Sequence, residues 1–166
     1  MRKPNKDNRG VTLIELIMVV AIIGVLIGIM VAGFSLGRSK VGAATNLIDS
    51  SLTQARNYTM TRVINYDFRL YVDNGYYMVQ VGGQDAEKAM EAKIPIYYKT
   101  YAGGHESGWT EVTGSGITIA FSESSGAMKQ ISPNTYYSKL CIGNPSGTYK
   151  VITLIFETGK HYVGEN

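Results

Sequence analysis

The rhythm of apolar positions changes twice along this chain. Over 11–34 it is nearly continuous, VTLIELIMVVAIIGVLIGIMVAGF, with Glu15 as the one charge. At about 1.5 Å per residue, a helix over this run reaches roughly 35 Å, enough to cross a bilayer with some tilt. Over 35–62 the apolar residues thin to one stripe. Ala44, Leu47, Ile48, Leu52, Ala55 and Tyr58 recur at three- and four-residue steps, the spacing of one helix face. Arg38, Lys40, Asn46, Asp49, Gln54 and Arg56 take much of the remaining surface. The two segments are expected to form one long helix, with its second half covered by a sheet.

Beyond residue 62 the period drops to two. Residues 66–72 and 76–81 alternate on either side of Asp73-Asn74-Gly75, a strong hairpin pattern. Residues 83–93 are polar and helix-prone, and one helical turn is expected there. Further strands are expected over 94–101, 117–122, 136–142 and 149–156. Pro95 places the first of these at a sheet edge or marks its beginning. The Gly-rich loop 102–116 carries Trp109 and His105. Trp109 is expected to close one end of the sheet, with a surface contact by the pair as the alternative. Thr158-Gly159-Lys160 turns the chain into a short tail. The expected fold class is α+β, a long N-terminal helix on an antiparallel sheet domain. Its segments are a leader 1–10, an apolar helix half 11–34, an amphipathic half 35–62 and a β-rich head 63–166.

Charge changes this picture at the N-terminus. The net charge of the 166 residues is +3, from 16 basic and 13 acidic side chains. Arg2, Lys3, Lys6 and Arg9 against Asp7 account for all of it, leaving 12 basic and 12 acidic groups after residue 10. A basic leader before an apolar run is retained on the cytoplasmic side, which puts the C-terminal domain outside. The neutral remainder argues against a general polyanion binder, since nucleic-acid affinity rests on phosphate neutralisation by Lys and Arg.

The apolar run is longer than a secretory signal's hydrophobic region and lacks a small-x-small cleavage site at its end. A plain signal anchor would leave Glu15 unexplained. An acidic residue at the centre of a membrane helix costs about 2.5–3.5 kcal/mol, and less near its end. Glu15 therefore calls for a partner outside its own helix, or for a position at the headgroup boundary. Gly24 and Gly28 have the small-x-x-x-small spacing of close helix approach. With Gly33 they can equally loosen the helix.

Little else in the chain carries chemistry. Cys141 is the only cysteine, so no internal disulfide forms, and its apolar alternating surroundings mark a small buried hydrophobe. His105 and His161 have no zinc-like spacing with it. There is no phosphate-binding loop, nucleophile elbow or dense acidic calcium loop. Neither an enzymatic activity nor a cofactor is expected.

Arg9-Gly10-Val11-Thr12-Leu13-Ile14-Glu15-Leu16 resembles the class III leader and mature start of type IV pilins and pseudopilins. The resemblance covers the first 35 residues. It implies cleavage after Gly10 by a prepilin peptidase and methylation of the new N-terminus at Val11, where most members have Phe. It also implies that Glu15 pairs with a neighbour's N-terminal amine when subunits stack. Many members carry a proline in this part of the helix; here there is none. More weakly, 117–121, Gly126, 150–154 and the run Thr158-Gly159-Lys160-His161-Tyr162 resemble the ends of H-type pseudopilins and FimT-like minor pilins. Some of the latter bind DNA through basic residues at this end, which makes Lys160 and His161 candidates for a weak DNA contact, although nucleic acid is not the expected partner.

The implied role is a filament subunit, a minor pilin of a type IV pilus. An H-type pseudopilin of type II secretion and a DNA-uptake pilin are the alternatives. Its partners would be other pilin subunits, the prepilin peptidase, the inner-membrane assembly platform and, before assembly, the lipid bilayer. It would pass once through the inner membrane, then join an extracellular or periplasmic filament.

Overall fold

A computed structural model describes residues 13–62 and 66–164, and for 27–39 and 62 it gives the helical backbone alone. The chain divides into two compact units, Met1–Leu36 and Gly37–Asn166. It is α+β, with helix α1 (Leu13–Arg62) followed by antiparallel sheets.

In the first unit, every described side chain of α1 over 13–26 is exposed, its large apolar residues between 78% at Leu13 and 48% at Ile23. No proline interrupts α1, and a Cβ built on Gly24 meets nothing within 4 Å. Among the described residues no helix is long and apolar enough to cross a membrane. The described side chains of the apolar run stop at Leu26, short of the roughly 20 residues a span requires. Val11 and Thr12, and the side chains over 27–34, on which the expected span also rests, lie outside the described residues.

In the second unit, the same helix turns one-sided. Val41, Ala44, Ile48, Leu52 and Ala55 are buried, while Leu47 and Tyr58 from the expected stripe are half-buried. Three polar residues share the buried face: Thr45, Ser51 and Thr59. Two of them are satisfied locally. Thr45 Oγ1 donates to the Val41 carbonyl at 2.7 Å, and Thr59 Oγ1 accepts from the Tyr66 amide at 3.1 Å. A buried hydroxyl with such a partner costs little.

The first sheet has the order β3-β2-β1-β7, from strands β1 (Phe68–Asp73), β2 (Tyr76–Val81), β3 (Glu87–Glu91) and β7 (Ile117–Ile119). The second runs β10-β9-β8-β4-β5, from β4 (Ile96–Ala102), β5 (His105–Glu106), β8 (Thr135–Gly143), β9 (Tyr149–Ile155) and β10 (Lys160–Gly164), with β6 (Thr110–Glu111) beside β4. One core joins them. Ile48 and Leu52 of the helix, Phe68 and Leu70 of the first sheet, and Leu140, Ile142 and Ile152 of the second belong to a single buried cluster. The Tyr77 hydroxyl, on β2, accepts from the Ile96 amide of β4 at 3.0 Å and so stitches one sheet to the other.

The β1–β2 hairpin forms as expected. Asp73 faces Tyr76, and Asn74 and Gly75 both have positive φ, 48° and 78°, the two-residue turn that matches strand twist. Three expectations need correction, and the two alternatives left for Pro95 resolve to one. Residues 83–93 hold no helical turn. β3 pairs with β2 there and buries Met90, so ladder bonds and burial override local helix propensity. Loop 102–116 contributes β5 and β6, which zip onto β4. β4 is therefore flanked on both sides, and Pro95 marks its beginning; its carbonyl accepts from Gly143 N at 3.0 Å. The short tail is a full strand, β10, paired with β9 from Lys160 to Gly164.

Candidate functional site

Gly10 and Val11, the expected cleavage and methylation positions, lie outside the described residues. Glu15 is exposed in the first turn of α1. An acidic side chain there is favoured by the helix's own positive end. It stands among Leu13, Ile14, Leu16, Ile17 and Met18, all exposed at 57% or more. A carboxylate on an otherwise apolar cylinder can fix the register of anything that packs along it, because only one place on a neighbour can satisfy it.

Lys160 and His161 begin β10, and the structure treats them differently. Lys160 is exposed. The His161 side chain is only 7% exposed and turned against α1. Its Nε2 lies 3.1 Å from the Asp49 carbonyl oxygen, 3.2 Å from Thr53 Oγ1 and 3.3 Å from Asp49 Oδ1. A proton on Nε2 thus has three acceptors within reach, while Nδ1 is buried with no hydrogen-bond partner. His161 is placed to tie the last strand to the helix.

One turn along the helix, Arg56 does the same with its guanidinium. Its Nε donates to the carbonyls of Gly126 (3.2 Å) and Thr158 (3.1 Å). Gly159 has φ +65°, and a Cβ there would run into the Gly126 carbonyl. This turn admits only glycine, as the Thr158-Gly159-Lys160 pattern suggests. On a helical wheel Arg56 reads as a solvated residue, and nothing local in the sequence reveals its reach across to two loops.

Cys141 is buried, and burial pushes its thiol up to about 11, so it is an inert hydrophobe rather than a nucleophile. Among the described residues no group of His, Cys, Asp and Glu could hold a metal ion.

Residues 5–31 match the family model described as the prokaryotic N-terminal methylation motif. The chain carries the type IV pilin and pseudopilin signature. No curated protein and no solved structure matches it. The signature implies processing by a prepilin peptidase and assembly with other pilin subunits. It also implies a membrane-anchored stage followed by a filament. It spans Gly10, Val11 and Glu15.

Proposed function

We propose that the chain is a structural subunit, a minor pilin, of a type IV pilus or related filament. It is made as a prepilin, anchored in the inner membrane through 11–34 with the head outside, cut after Gly10 and methylated on Val11. Helices over 11–62 from successive subunits then bundle, with each Glu15 paired to the N-terminal amine of a neighbour's Val11. Residues 63–166 form the outer surface, and the subunit works by polymerising rather than by catalysis.

One observation carries this reading. The signature over 5–31 takes in the stretch of α1 from Leu13 to Leu26, whose described side chains are all exposed. Each large apolar residue left in water forgoes roughly 1.5–3 kcal/mol of burial. Such a surface needs lipid first and other helices afterwards, which is what a filament subunit meets in turn. An H-type pseudopilin would use the same helix in the same way. The DNA-uptake reading has less support, because His161 is spent on Asp49 and Thr53.

Co-expression with a prepilin peptidase tests the proposal through the mass and first residue of the purified protein. A mature chain starting at methylated Val11 is expected. Retention of residues 1–10 in the presence of active peptidase would overturn it.

A further inference from the structure

The outer face of the six-stranded sheet carries a cluster that the N-terminal signature leaves unexplained. Lys99 of β4 faces Lys139 of β8, and Lys139 faces Thr153 of β9, so the three form one cross-strand row. Glu106 of β5 reaches into it, its Oε2 3.0 Å from Lys139 Nζ and 3.6 Å from Lys99 Nζ. None of the three side chains is more than 34% exposed. Burial pushes the Glu106 carboxyl up, but the hydrogen bond and charge of Lys139, with the charge of Lys99, outweigh it and hold the group below its ordinary range. One carboxylate is thus shared by two ammonium groups, and the cluster keeps a single net positive charge.

Trp109 stands over this row rather than at an end of the sheet. Lys99 Nζ lies 4.8 Å from the centroid of its ring. Together with Pro145, Tyr149 and Val151, these residues line an open groove of about 440 Å³. Its polar side chains offer two ammonium groups and an indole N–H, which only donate, and the hydroxyls of Thr153 and Tyr149, which donate or accept. Trp109, Pro145 and Val151 add apolar surface beside them. Such a lining suits a ligand rich in acceptors, with one negative charge and a ring that has an apolar face.

We propose that this groove binds a carboxylated sugar, the uronic-acid residue of a polysaccharide. The sugar's carboxylate lies on Lys139 and Lys99 and its ring lies against Trp109. A nucleic acid is a poorer match. Duplex DNA carries one charge per roughly 1.7 Å of axis and is held by a run of cations, whereas here Glu106 cancels one of two. The inference rests on the head alone and is independent of filament assembly.

Trp109 is the only tryptophan, so its fluorescence reports on the groove directly. Full-length protein in non-ionic detergent is titrated with oligogalacturonate, with maltohexaose as the neutral control and oligothymidylate as the nucleic-acid control. A saturable change in emission with oligogalacturonate alone is expected. Lys139→Gln should weaken binding about tenfold, the loss of one charge-assisted hydrogen bond. Glu106→Gln should tighten it, because a competing carboxylate is removed; a purely structural triad would bind no better. No saturable response, an equal response to maltohexaose, unchanged affinity in Lys139→Gln, weaker binding in Glu106→Gln, or tighter binding of oligothymidylate would each overturn the proposal.

Discussion

Two stretches of one helix, 13–26 and 41–59, share a backbone conformation and differ in everything else. The first is apolar on all sides and wholly exposed; the second buries a single stripe and shows polar residues elsewhere. A helix that is apolar all round is made for a medium without water, and one with a single stripe is made for a sheet. Helix formation alone therefore says nothing about where the stabilisation lies. In the second stretch it comes from the chain's own core. In the first it awaits lipid or another subunit.

The sharpest way to break this contrast is at Glu15. Glu15→Leu should abolish filaments in sheared-cell preparations while the melting temperature of the protein is unchanged, because the described core cluster draws on α1 only from Val41 onward. Filaments at normal yield would remove the registration role. Next is Ile48→Ala, which empties a site of zero exposure and should cost about 2–5 kcal/mol in chemical denaturation. Processing by the peptidase should be untouched.

Alkaline titration separates the stretches by pH. Cys141 is raised from 9.0 to about 11, and burial also raises Tyr77 and Tyr137. A raised folded-state value means stability that is complete below the unfolded value and lost as pH rises through the folded one. The head should lose stability from about pH 9 upward, on the order of 2–3 kcal/mol from Cys141 by pH 11. Cys141→Ala should flatten that part of the profile. A flat profile in the wild type would show that the thiol is not shielded. The smallest effect belongs to Ile17→Ala, the same chemical change as Ile48→Ala on the same helix. Ile17 is 57% exposed, so denaturation in detergent should shift by no more than about 0.5 kcal/mol.

What could be read in advance follows the range of the forces involved. The helix stripe and the Asn74-Gly75 hairpin were legible because period and turn chemistry are local properties. β3 was not. Glu87-Lys88-Ala89-Met90-Glu91 is a good helix sequence, and only its pairing with β2 makes it a strand. Thr45, Ser51 and Thr59 complete the buried face of α1, and a purely apolar count passes over them although their spacing fits. At the candidate site, Glu15 was legible as an isolated charge in an apolar run. The inward turn of His161 and the reach of Arg56 were not, since both depend on partners more than 100 residues away.

Those distant contacts also set an order of events. His161 meets Asp49 across 112 residues, and Arg56 meets Thr158 across 102. Ribosomes add roughly 5–20 residues per second, so α1 exists for several seconds before its last partners are made. Through that interval the stripe around Ile48 has only part of its cover, and loops of this length close slowly. The head can lock only after residue 161 has been added to the chain. A chain stopped before Thr158 would have every residue of α1 and still leave both ties unmade.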